Sequence, residues 1–187
     1  MFINKKNREI DKEIMSNLSI QPESENFIIN IKTEHQNQIL SSFNYDNKDT
    51  LNSEFSDYLW KNAKMMPPNK DLQINIYSKE NINEQEVIKA TKSHYAREYA
   101  ETKLSLSRTN FVALVSLLLG IISLALLLVF YSVLNNFYLT TLTEIMAWVF
   151  VWEAVDKFFY GRAEIKRKCS LIQKIYTAQI NIIIKNK

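Results

Sequence analysis

Twenty-four consecutive residues, Phe111–Leu134 (FVALVSLLLGIISLALLLVFYSVL), carry no charge. A helix needs about 20 apolar residues to cross the hydrocarbon core of a bilayer, so this run can span one. A second apolar stretch, Phe137–Tyr160 (FYLTTLTEIMAWVFVWEAVDKFFY), follows after only Asn135-Asn136, and it carries Glu144, Glu153, Asp156 and Lys157. Two such segments joined by a tight turn predict an integral membrane protein with a two-helix transmembrane hairpin, its spans at about 111–134 and 138–160.

The basic residues predict its orientation. None of the 23 Lys and Arg residues falls between Arg108 and Lys157. Lys103 and Arg108 precede the first span, while Lys157, Arg162, Lys166, Arg167 and Lys168 follow the second. Basic residues beside spans favour the cytoplasmic side, so both ends are expected in the cytosol of a multi-pass cell-membrane protein. A net charge of +3 is too small for the concentrated basic face of a nucleic-acid binder. The N-terminal MFINKKNREIDKEIM lacks the apolar core of a cleaved export signal. Phe2 stands where N-myristoylation needs glycine, and no cysteine lies near the C-terminus for prenylation. The single cysteine, Cys169, is expected to be a reduced cytosolic thiol.

The polar remainder predicts an α+β fold. Residues 1–25 read as an arm in which Ile3, Ile10 and Ile14 can share a helical face. A small cytosolic α/β domain is expected over 26–108. Asn26–Lys32 alternates Phe27, Ile29 and Ile31 with Ile28, Asn30 and Lys32, the period of a strand. Gln38–Phe43 is a further short strand candidate, and the Asn- and Asp-rich 44–49 a loop. Leu51, Phe55, Tyr58, Leu59 and Ala63 keep a helical period, with Asp49 or Thr50 as cap and Pro67-Pro68 as terminator. Asp71–Ser78 alternates cleanly around Leu72, Ile74 and Ile76. Asn83 and Glu86 then form a capping-box-like start to a helix, with Ile88, Thr91, Tyr95 and Tyr99 along one side. No Pro or Gly interrupts Asn83–Leu119, so one long helix is expected to run into the first span, with Thr109-Asn110 as the place for a bend. The segment 161–187 begins as a helix with Ile165, Cys169, Ile172 and Tyr176 on one face, after a possible kink site at Gly161. It ends as a strand, Gln179–Lys185, which would complete the sheet, since an unpaired apolar strand invites aggregation.

The polar groups within the spans are the candidate sites. A charge at mid-membrane costs about 2.5–3.5 kcal/mol on insertion scales. Glu153 stands four residues before Lys157, the favourable order for an ion pair, in one sector with Asp156 and Tyr160. Local pairing and a partner contact both fit it. Glu144 shares a face with Trp148, Val151 and Val155 and has no basic residue within a turn. It is a neutral acid, or shallow enough to reach the interface, or bonded to a polar group of the first span or of another subunit. Ala113, Ser116, Gly120 and Ser123 put small residues on one side of the first span, for packing within the hairpin or for self-association. Trp148 and Trp152 are too deep for interfacial anchors and are expected to pack inside the hairpin. Phe158, Phe159 and Tyr160 suit an aromatic belt. Arg162, Lys166, Arg167 and Lys168 could contact anionic lipid, and serve equally as an orientation signal.

The segment Ala147–Arg162, AWVFVWEAVDKFFYGR, resembles the second membrane helix of a group of small bacterial two-span proteins. The order strand, helix, Pro-Pro, strand and long helix into the first span is similar too, so the resemblance covers most of residues 26–185. It implies membrane location and architecture and carries no activity. Enzyme signals are absent: the only glycines are Gly120 and Gly161, which cannot build a phosphate-cradling loop, and His35, His94 and Cys169 have no metal-ligand spacing. No cofactor is expected. Two functions remain: a membrane-anchored cytosolic module that binds a protein, or an oligomeric assembly or ion or proton passage using the acids of the second span.

Overall fold

Three strands of this chain carry the same triplet, and it sets their register. Ile29-Asn30-Ile31, Ile74-Asn75-Ile76 and Ile180-Asn181-Ile182 lie in β1 (Asn26–Thr33), β2 (Asp71–Ser78) and β3 (Gln179–Ile184). The computed structural model describes residues 26–41, 50–67, 69–134 and 136–184, so the arm 1–25 lies outside the described residues. The strands form one parallel sheet in the order β1-β2-β3, and the three asparagines align as Asn30↔Asn75↔Asn181. Asn75 Nδ2 donates to Asn30 Oδ1 and Asn181 Nδ2 donates to Asn75 Oδ1, each at 3.2 Å. The flanking isoleucines point the other way, because side chains alternate across a strand. Parallel sheets are commonly buried on both faces. Here one face is apolar and buried, and the amide row satisfies itself on the open one.

The buried face is Phe27, Ile29 and Ile31 with Leu72, Ile74, Ile76 and Ile180. Each full burial of such a side chain contributes about 1.5–3 kcal/mol. Helix α1 (Ser53–Ala63) adds Phe55, Leu59 and Ala63 to the core. Its cap is Asn52, whose side chain accepts from the Glu54 N–H at 3.0 Å, rather than Thr50; Asp49 lies outside the described residues. Leu51 lies two residues before the helix begins and bridges Leu40 instead. That isolated bridge, preceded by a 3₁₀ turn at Gln36–Gln38, stands in the described part of the expected strand Gln38–Phe43, of which Ser42 and Phe43 lie outside the described residues. Tyr58 faces outward although its spacing matched the core row.

Helix α2 runs unbroken from Glu84 to Val129, about 70 Å at the standard rise, and passes through Thr109-Asn110 without a change of winding. At its start Asn83 Nδ2 donates to Glu86 Oε1 at 2.8 Å, a side-chain clasp in place of the expected capping-box bonds. Val87, Ala90, Thr91 and Tyr95 are buried, and Tyr95 Oη donates to the Ser56 carbonyl of α1 at 3.3 Å. Ile88 and Tyr99 are only half-buried. One π turn, Phe130–Leu134, ends this rod. Helix α3 (Phe137–Asp156) begins at Asn136, whose Oδ1 accepts from the N–H groups of Tyr138 and Leu139 at 3.1 and 3.2 Å. A second π turn, Lys157–Gly161, leads into α4 (Arg162–Thr177). In α4 Ile172 and Ile175 are buried, while Tyr176, expected on that face, is exposed.

The chain divides into two compact units. One comprises the residues up to Arg97 and those from Leu171, and holds the whole sheet; the other is Glu98–Ser170.

Candidate functional site

The unit Glu98–Ser170 is a pair of helices with an inverted distribution of side chains. Thr102, Ala113, Ser116 and Ser123 on α2 are buried, as are Thr143, Ala147 and Ala154 on α3. Small residues let helix backbones approach closely. At Gly120 the approach is close: a β-carbon there would stand 3.0 Å from Val151 Cγ2 and 3.5 Å from the Val151 backbone nitrogen. Further along, a β-carbon on Gly161 would meet Thr109 Cγ2 at 3.3 Å, and Lys168 Nζ lies 3.1 Å from Glu98 Oε1. These pairings run in opposite directions along the two helices, so the pair is antiparallel. Ser116 and Gly120 thus belong to the seam within one chain.

The large apolar side chains face outward. Leu114, Ile121, Leu128, Trp148, Val149 and Trp152 are each more than half exposed. Trp148 at 57% and Trp152 at 63% contradict the expectation that they pack inside the hairpin. The reason is volume: a seam tight enough to need Gly120 has no room for an indole. Among the described residues one helix, Glu84–Val133, is long and apolar enough to cross a membrane.

The acids divide by partner. Lys157 Nζ lies 3.5 Å from Glu153 Oε1 and 3.7 Å from Asp156 Oδ2, so one cation serves both carboxylates. Glu144 is exposed, and among the described residues no basic side chain pairs with it. At about 100° per residue it stands roughly 80° around α3 from the row Thr143, Ala147, Ala154. In the basic group, Arg162 lays its guanidinium over the Phe158 ring at 5.3 Å. Its Nε is buried without a hydrogen-bond acceptor, and the cation–π contact offsets part of that loss. Lys166 and Arg167 are exposed, and Lys168 is tied to Glu98.

The sheet unit holds a polar cluster that the sequence did not single out, at the carboxyl ends of β1 and β2. His35 Nδ1 and Glu80 Oε1 are 2.9 Å apart, Lys79 Nζ donates to Glu34 at 2.7 Å, and Gln36 Nε2 donates to Glu86 at 2.9 Å. The Lys79 hydrogen bond, reinforced by its charge, holds the Glu34 carboxyl below its usual range. Thr33 Oγ1 donates to Gln38 Oε1 at 2.7 Å. These groups satisfy one another, which describes a braced loop. His94 packs edge-on against Tyr95 at 5.0 Å. Two grooves of this unit, of about 290 and 320 Å³, are lined by Lys32, Gln38, Glu54 and Tyr58 in one case and by Asn26, Asp71, Lys174 and Gln179 in the other. Neither gathers a nucleophile, a base and an electrophilic group. No family model, curated protein or solved structure matches the chain.

Proposed function

We propose that the chain is a two-span membrane protein whose sheet unit is a cytosolic, membrane-anchored interaction module. The observation that carries this reading is the parallel pairing of β2 with β3. Those strands lie on either side of all the apolar sequence, yet they are hydrogen-bonded neighbours in one sheet and must share one side of any bilayer. The number of crossings between Ser78 and Gln179 is therefore even. If α2 crosses, a second crossing is required, and α3 is the remaining apolar segment. The outward Leu, Ile and Trp side chains favour two crossings over none, because in water they would form a large exposed apolar surface. The basic residues before the first span and after the second favour cytosolic ends. The resemblance of Ala147–Arg162 to two-span bacterial proteins agrees with this.

The open face of the sheet, with Asn30, Lys32, Asn75 and Ile183, is the surface offered to a protein partner. Sharing of Lys157 between Glu153 and Asp156 favours the module over an ion or proton passage lined by those acids. No catalytic step or cofactor is assigned, and Lys166 and Arg167 are the basic side chains placed to meet anionic lipid.

The test is topology. In a Cys169→Ser background, Asn136→Cys should react with a membrane-impermeant maleimide added outside intact cells. A cysteine at Lys32 should react only after the cells are opened, and alkaline carbonate should leave the protein in the membrane. Release by carbonate, or an Asn136→Cys that reacts only from the cytosolic side, would overturn the two-span reading.

A further inference from the structure

We propose that Glu144 is the contact between two copies of this chain, which associate as a four-helix bundle with the two carboxyls hydrogen-bonded across a two-fold axis. The inference rests on the two-span reading above. Three observations carry it. Glu144 faces outward, and among the described residues it lacks the cation that Glu153 and Asp156 share. An acid left in that position faces hydrocarbon, and acids in spans turn toward protein or water.

The second observation is its place on the helix. Each helix of a four-helix bundle has two neighbours, set at roughly a right angle around its axis. The row Thr143, Ala147, Ala154 already meets α2 of the same chain. Glu144, about 80° away, lies where the second neighbour belongs.

The third is self-complementarity. A two-fold axis brings the same residue of both copies to the same depth, so no partner of different chemistry is needed. A protonated carboxyl donates its O–H to the other, which accepts. The small-residue seam cannot serve this purpose, because Gly120 is closed by Val151 of its own chain. Thr141, half-buried one turn before Glu144, and Trp148, one turn after, flank the contact.

The full chain carrying Cys169→Ser is reconstituted in vesicles of phosphatidylcholine and phosphatidylglycerol and oxidised with copper phenanthroline. Thr141→Cys, beside Glu144, should form a disulfide-linked dimer, while Val149→Cys, which points away from both the seam and Glu144, should not. Adding Glu144→Leu to Thr141→Cys should lower crosslinking about tenfold, whereas Glu144→Gln, whose amide can pair with itself, should keep most of it. Crosslinking unchanged by Glu144→Leu, or equal at Val149→Cys, overturns the dimer and leaves the two-span reading standing. Release of the parent protein from the vesicles by carbonate overturns that reading, and the dimer with it.

Discussion

Gly120 and Val151 meet so closely that a single added carbon on the glycine would stand 3.0 Å from the valine Cγ2. The Val151 side chain must give by a few tenths of an ångström to admit an alanine. Gly120→Ala also gains about 1 kcal/mol of helix propensity, so its net effect should be small. Gly120→Leu should destabilise the helix pair by about 1–3 kcal/mol through overpacking. Val151→Ala should relieve Gly120→Ala in a double-mutant cycle. Unfolding in detergent, followed by circular dichroism, gives each value, and additive effects of the two substitutions would refute the contact.

Ile180 places the buried side chain of β3 against the core from the far end of the chain. Ile180→Ala should cost about 2–3 kcal/mol, in the range for buried isoleucine truncation. Removal of 179–187 should go further and leave the sheet unit open to protease. Equal protease resistance with and without the strand would show that β3 does not hold the unit together.

Asn75 makes both cross-strand amide bonds, while Asn30 and Asn181 each take part in one of them. Net values near 0.5–1.5 kcal/mol per hydrogen bond lead to an ordering. Asn75→Ala should lose about 1–2 kcal/mol and each outer substitution about half of that. Three equal losses in chemical denaturation would contradict the row.

The Glu34 carboxyl titrates below its ordinary range because Lys79 hydrogen-bonds it and lies beside it as a charge. A depressed acid adds stability above its unfolded pKa and loses it as pH falls through the folded one, so the loss belongs to acid conditions. Both groups are open to solvent, which keeps the contribution slight. Lys79→Met should return Glu34 to the usual carboxylate range in an NMR titration. A titration unmoved by that substitution would remove Lys79 as the cause.

The strands and helices were legible where one period ran unopposed. Asn26–Lys32, Asp71–Ser78 and Gln179–Lys185 alternate, and the strands found are Asn26–Thr33, Asp71–Ser78 and Gln179–Ile184, with Lys185 outside the described residues. Of the expected strand Gln38–Phe43, the described residues hold a 3₁₀ turn ending at Gln38 and the single Leu40–Leu51 bridge, because the backbone at Ser41 and Asn52 is taken up by bonds to Thr50 and Ile39; Ser42 and Phe43 lie outside the described residues. Tyr58 and Tyr176 fit their helical rows by angle, but each is amphipathic and settles at the surface beside a better core residue, Leu59 or Ile175. The tryptophans show the limit for α3. Depth along a helix can be counted from the sequence, but which side of it meets a neighbour depends on the partner's volume, and Gly120 decides that. The register was written in the chain as three Ile-Asn-Ile triplets, a signal readable only by comparing strands.

The parallel pairing of β2 with β3 also imposes an order on synthesis. One hundred residues lie between Ser78 and Gln179. While they are being made, the edge of β2 that β3 covers is open. On the two-span reading, a chain whose second helix fails to cross delivers that strand to the wrong compartment, and the edge stays bare. An open apolar edge is what proteases and chaperones bind. On that reading β3 reaches β2 only in molecules whose two helices have both crossed, so completion of the sheet depends on insertion.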